Sequence, residues 1–141
     1  MTGKKPMSDD VAFLDTNVLI YAYSEDDLRK QNIAVNAIDT HKCIVSTHIL
    51  NEFCNVCIKK LHYPIDQILE SINEILHACA LFMVNENTIK EALVIQDRYK
   101  YSYYDSLVIA SALKCECTLL LSEDLQDSQK INNTTIKNIF I

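Results

Sequence analysis

Hydrophobic positions follow two rhythms along this chain. Short apolar runs occur at "VAFL" (11–14), "CIV" (43–45), "CALFMV" (79–84), "TLLLS" (118–122) and "TTIKNIF" (134–140). Their brevity and their polar flanks predict five buried strands. Between them, apolar residues recur at helical spacing. "NVLIYAYS" (17–24) predicts a first helix. In "DDLRKQNIAVNAIDTH" (26–41), Leu28, Ile33, Val35 and Ile38 mark a face, and Asp26 stands where a cap is needed. "HILNEFCNVCIKKL" (48–61) carries Ile49, Leu50, Phe53, Cys57 and Leu61 behind Ser46 or Thr47 as cap. "PIDQILESINEILHA" (64–78) opens on a proline, suited to a first helical turn. "NENTIKEALVIQDRYK" (85–100) predicts a fifth helix. "DSLVIASAL" (105–113) is apolar on most faces, which predicts a helix buried all round.

Strands that alternate with helices build a parallel sheet covered on both faces, an α/β architecture of three layers. Right-handed crossovers align the C-terminal ends of the strands along one edge, where such folds bind ligands.

Composition narrows this picture. The chain has 141 residues, with 49% hydrophobic and 23% charged, as expected of one globular domain. It contains one glycine, Gly3, and two prolines, Pro6 and Pro64, so turns fall to Asn, Asp and Ser. No linker divides residues 11–141, and residues 1–10 read as a flexible lead without the apolar core of a signal peptide. No apolar run has the length of a membrane helix. The six cysteines are read as buried structural thiols of a cytoplasmic protein rather than disulfides, although Cys54, Cys57, Cys115 and Cys117 have a spacing that zinc sites use. A net charge of −6 argues against a broadly basic nucleic-acid surface, but not against acids gathered around a metal.

Four acids stand where the predicted fold gathers them. Asp15 ends the first strand, Asp124 follows the fourth, and Asp105 opens the buried helix before it. Glu52 lies in the helix that starts at the end of the second strand. Two ionised carboxylates 4 Å apart repel by about 4 kcal/mol at an effective dielectric of 20. Such a cluster calls for a cation. Oxygen-only donors suit Mg²⁺ or Mn²⁺, and no His/Cys set accompanies them. Metal ions held by carboxylates suit phosphodiester hydrolysis, because they acidify a water and stabilise a leaving oxygen. A P-loop is excluded, since the lone glycine is Gly3.

The segments "FLDTNVLIY", "STHILNEF", "YSYYDSLVIASAL" and "LLLSEDLQD" together resemble the PIN domain family, most closely the small toxins of VapC type. The resemblance implies a PIN-like fold with a short, mainly parallel five-stranded sheet, and a metal-dependent ribonuclease. It implies that Asp15, Glu52, Asp105 and Asp124 bind Mg²⁺ or Mn²⁺ and serve catalysis, with Thr16, Asn17 and Ser122 orienting them. It also implies a homodimer and a small antitoxin whose C-terminal segment covers the acidic groove. One departure is Ser128, where many relatives have glycine. Another is the presence of Glu123 and Asp127 beside Asp124, either of which is placed to share its role.

Plainer readings stand beside these. Asp15 and Asp105 also suit helix caps, Glu52 a solvated helix face and Asp124 a turn. Tyr99, Tyr101, Tyr103 and Tyr104 are read as packing or dimer contacts, with base stacking as the alternative. Lys59, Lys60, Arg29 and Lys30 are read as solvated, and His41, His48, His62 and His77 as structural. Two other functions fit the same residues: an inactive PIN-like module that binds RNA or protein, and a metal-dependent phosphohydrolase of another substrate class.

Overall fold

A computed structural model of the chain describes residues 10–141; the lead expected over residues 1–10 lies, apart from Asp10, outside the described residues. The first strand, β1 (Val11–Leu14), runs through the centre of the sheet. Ala12, Phe13 and Leu14 are fully buried. Successive strand residues point to opposite faces, so both faces of β1 are covered. That burial is why the run reads as continuously apolar rather than alternating.

Eleven further elements follow among the described residues: α1 (Thr16–Tyr23), α2 (Leu28–Thr40), β2 (Lys42–Ser46), α3 (Thr47–Lys59), α4 (Ile65–Ala78), β3 (Cys79–Phe82), α5 (Glu86–Tyr99), α6 (Tyr103–Lys114), β4 (Leu119–Leu121), β5 (Lys130–Ile131) and β6 (Thr134–Lys137). The sheet order is β3-β2-β1-β4-β6-β5, parallel throughout except where β5 pairs with β6. The five expected strands are present, but β3 is not buried as expected: it lies at the sheet edge with Ala80 and Leu81 exposed. A sixth, β5, has two residues, too few for a hydrophobic pattern to reveal.

The chain leaves β1 on one side, toward β2 and β3, and returns on the other side as β4. The order therefore reverses between β1 and β4, and a crevice opens beyond the C-terminal ends of the two strands. Asp15 N donates to Leu121 O at 3.0 Å across that junction.

All six expected helices form, with two changes at their starts. The cap of α2 is Asp27 rather than Asp26, since Asp27 Oδ1 accepts from Lys30 N at 3.0 Å. The buried helix α6 begins two residues before Asp105, because Ser102 caps it and accepts the Asp105 N–H at 3.2 Å. Every residue from Ser106 to Ala112 in α6 is buried, as its pattern required. The hydroxyls of Ser106 and Ser111 are satisfied one turn back, on Ser102 O and Leu107 O. Ser46 caps α3 through Ile49 N. All six cysteines are free, and Cys43, Cys57, Cys79 and Cys117 are buried, consistent with structural thiols. Among the described residues no helix is long and apolar enough to cross a membrane.

Scarcity of glycine has a structural cost. His62, Lys100, Glu116, Ser128 and Asn132 all take positive φ with a side chain in place. Lys100 closes α5 at φ 64° and ψ 24°, a position that favours glycine. Its ion pair with Asp97 spans 3.9 Å in full solvent and adds little. Replacing Lys100 by glycine is expected to stabilise the fold by about 1 kcal/mol, relieving the left-handed strain. Thermal unfolding of Lys100→Gly checks this as a rise of roughly 3 °C in Tm.

Candidate metal centre

The site is assembled by the three residues that follow β1. Asp15 adopts extended backbone as the N-cap of α1, and its Oδ1 accepts from Thr16 N at 2.8 Å. Its Oδ2 accepts from Ser122 Oγ at 2.7 Å, just past the end of β4. Thr16 Oγ1 donates to Glu52 Oε1 on α3 at 3.0 Å. Asn17 Nδ2 donates to Asp124 Oδ2 at 3.2 Å, and Asn17 Oδ1 accepts from Glu123 N at 3.2 Å. Ser122 Oγ also accepts from Asp124 N at 3.3 Å. The tripeptide Asp-Thr-Asn thus ties two distant segments, α3 and residues 122–124 after β4, to one sheet edge.

Asp15 is 8% exposed, and both of these bonds come from uncharged donors. Burial pushes its carboxyl up to about 6. The bonds from Ser122 and Thr16 pull the other way, while the charges of Glu52 and Asp105 add to the rise. Those two acids are therefore near enough for Asp15 to feel them. Asp105 stands in the first turn of α6. Glu52 is held below its ordinary value, first by His48 and also by Thr16, against partial burial.

Glu52, Asp124, Thr16 and Asn17 line a groove of about 590 Å³, together with Val56, Lys60 and Glu123. The donors are all oxygens, which fits Mg²⁺ or Mn²⁺ in kind. In position, Glu52 is turned toward Thr16 and His48, and Asp124 toward Asn17. Among the described residues no group of three or more His, Cys, Asp or Glu side chains stands ready to hold a metal ion. Binding one here requires the carboxylates to rotate inward.

The two acids beside Asp124 have other partners. Glu123 receives Tyr21 OH at 2.6 Å and pairs with Lys30 Nζ. Asp127 accepts from Asn138 N at 2.8 Å and from Ser128 Oγ at 3.1 Å. Ser128 itself sits at φ 69°, the conformation for which glycine is the natural choice.

His48 changes the sequence reading. Its Nε2 lies 3.0 Å from Glu52 Oε1, one helical turn away on α3. The approach is off the ring N–H direction, and Nε2 has no aligned hydrogen bond. The contact is close without being an aligned hydrogen bond. The four-residue spacing of His48 and Glu52 was visible in the sequence, but a helix had to be assumed before it meant anything.

This is an α/β domain with an oxygen-only acidic site at the switch point of its sheet. Residues 12–130 match the model of the PIN domain, and the chain belongs to the PIN domain family. Among curated proteins none matches the sequence. Solved structures share the fold. VapC20 of Mycobacterium tuberculosis, a sarcin-ricin loop cleaving toxin, is 17% identical with a TM-score of 0.64, over 77% of this chain and 86% of that one. VapBC2 of Rickettsia felis, bound to a DNA fragment from their promoter, is 15% identical with a TM-score of 0.67, over 91% and 98%. VapBC-1 of nontypeable Haemophilus influenzae is 15% identical with a TM-score of 0.67, over 92% and 98%.

The raised Asp15 carboxyl has a consequence for stability. The folded protein holds that proton to about pH 6, whereas the ordinary value is 3.8. Between these values the folded state binds more protons than the unfolded state, so metal-free stability falls as pH rises. The loss amounts to about 3 kcal/mol at pH 7. Asp15→Asn removes it. In EDTA the variant is expected to melt above the wild type at pH 7.5, with the gap closing by pH 4, as read by calorimetry.

Proposed function

We propose that this chain is a metal-dependent endoribonuclease of the VapC type, hydrolysing RNA phosphodiester bonds. What supports the reading is the buried Asp15 at the switch-point edge of a PIN fold, which feels the charges of Glu52 and Asp105 and shares the Ser122 hydroxyl with the Asp124 backbone. A buried carboxylate bonded only to uncharged donors, with acids beside it, is a site short of positive charge.

Under this proposal the four acids hold Mg²⁺ or Mn²⁺. Bound there, the cation supplies charge for the phosphate oxygens and acidifies a water. Ser122 and Thr16 fix the direction of Asp15 and Glu52, and Asn17 that of Asp124. Asp124 is preferred to Glu123 and Asp127 because those two are engaged elsewhere. Lys60 also lines the groove, and under this proposal it meets an RNA phosphate.

The same reading makes the chain a toxin with a small antitoxin partner and a homodimeric state. The supporting likeness is to VapBC assemblies and to a structure described as a toxin–antitoxin complex from Klebsiella pneumoniae. A basic side chain of such a partner, entering the acidic mouth, would displace the metal and silence the enzyme.

A non-cutting PIN module is the second reading. It is favoured by one fact: Glu52 and Asp124 are held by neighbours, and among the described residues no three acids stand ready around a metal. Calorimetric titration with Mn²⁺ and an RNA cleavage assay decide between the two. The expected result is saturable Mn²⁺ binding, cleavage abolished by EDTA, and a loss of more than about 100-fold in Asp15→Asn, Glu52→Gln, Asp105→Asn or Asp124→Asn. Mn²⁺ binding without cleavage of any RNA would favour the module. Intact RNA beside turnover of a generic phosphate ester would move the substrate class instead.

A further inference from the structure

Tyr104 is an aromatic ring that the fold supports and leaves bare. It is 61% exposed, on the first turn of α6 immediately before Asp105. His48 stacks against it, with ring centroids 5.0 Å apart and an interplanar angle of 12°. Tyr103 braces it edge-on at 5.5 Å. Tyr103 in turn packs on a small cluster of Ala92, Leu107 and Ala110, which joins α5 to α6. An exposed tyrosine with no role would not need two aromatic supports.

The position of this ring is specific. His48 also touches Glu52, so the stack adjoins the acidic site. His48, Glu52 and Val56 on α3 and Lys60 at its C-cap recur every four residues, and the last three line the groove. At 1.5 Å per residue the row extends about 18 Å, a span of a few nucleotides. It begins at an aromatic platform, passes an acid and ends at a cation.

Charge argues for what the platform holds. With a net charge of −6, the chain has little electrostatic grip on a polyanion. Contacts that do not depend on phosphate charge must supply part of the affinity, and base stacking on aromatic side chains is the contact of that kind. Resting on the ribonuclease reading above, we propose that Tyr104, backed by His48, is a stacking site for an unpaired nucleobase beside the scissile bond. The substrate is then single-stranded at that base, since a base inside a duplex has both faces covered by its stacked neighbours.

The chain has no tryptophan, so Tyr104→Trp installs a sole indole as a reporter. A short single-stranded oligonucleotide is titrated against this variant in EDTA and again in Ca²⁺, with a fluorescent label on the strand to report binding. Quenching of the indole that tracks binding is expected. In cleavage assays Tyr104→Ala is expected to raise KM by about 5- to 100-fold, the range of one base–aromatic contact, with kcat nearly unchanged. Tyr104→Phe should retain the wild-type KM, and an abasic residue at the stacked position should erase the difference between wild type and Tyr104→Ala. Binding without quenching, together with an unchanged KM in Tyr104→Ala, overturns the proposal. Quenching on a strand that is never cut leaves the stacking site standing and removes the ribonuclease reading; cleavage with neither effect does the reverse. Absence of any strand binding removes both.

Discussion

The carboxylate of Asp15 is the constraint on which the rest of the structure turns. It stands at the end of the central strand, in the crevice where the order of strands reverses, and is almost wholly buried. A carboxylate in that place is unfavourable unless it is neutralised or bonded. The fold answers with Ser122 from β4's end and the first amide of α1. Those two bonds do not cancel the cost, since the group still titrates near 6. The protein therefore keeps an unfavourable charge at its centre of topology. A group kept under such conditions is better explained by what it binds than by what it stabilises.

The residues after Asp15 show how a short segment organises a wide site. Thr16 and Asn17 begin a helix, where successive side chains point in directions about 100° apart. Asp15 reaches β4's end, Thr16 reaches α3, and Asn17 reaches the loop after β4. One turn of backbone thus fixes acids that lie 37 and 109 residues away from Asp15 in sequence, at Glu52 and Asp124. This is why all three positions matter together. Thr16 holds α3, while Asp15 and Asn17 together hold the segment after β4.

Much of this was legible in the sequence, for physical reasons. All five expected runs became strands, and β1, buried on both faces, shows why an unbroken apolar run reads so clearly, whereas β3 carries the same kind of run at the sheet edge with Leu81 exposed. Helix α6 announced its burial by the lack of a polar face. The acids could be assigned to one edge because handed crossovers leave little choice. What remained hidden depended on local geometry or on pairs. Asp26 and Asp27 are adjacent and equally good caps, so only the backbone decides between them. Strand β5 is too short to carry a pattern. His48 reads as structural because the four-residue spacing to Glu52 tells nothing until α3 is a helix; the stack on Tyr104 joins α3 to α6, which no single-segment pattern can reveal. Ser128 was noticed as a departure from glycine, and its φ of 69° supplies the physical reason.

Lys30 offers the last step, because it sorts the acids of the mouth into two kinds. Its ammonium pairs with Glu123, receives support from Tyr21 OH at 3.2 Å, and lies over the rings of Tyr21 at 4.7 Å and Phe140 at 5.8 Å. The neighbouring Arg29 bonds to Phe140 O, which secures the C-terminal segment against the start of α2. Glu123 thereby leaves the set of acids that need a cation. Its backbone N–H, held in place by the same pairing, positions Asn17 and through it Asp124. Lys30 pairs with the anchoring Glu123 rather than with Glu52 or Asp124, which line the same groove. A protein assembling acids for solubility alone would gain nothing from that separation. Under the metal-dependent reading proposed above that separation is required, since a lysine bound to those carboxylates would compete with a cation for the same place.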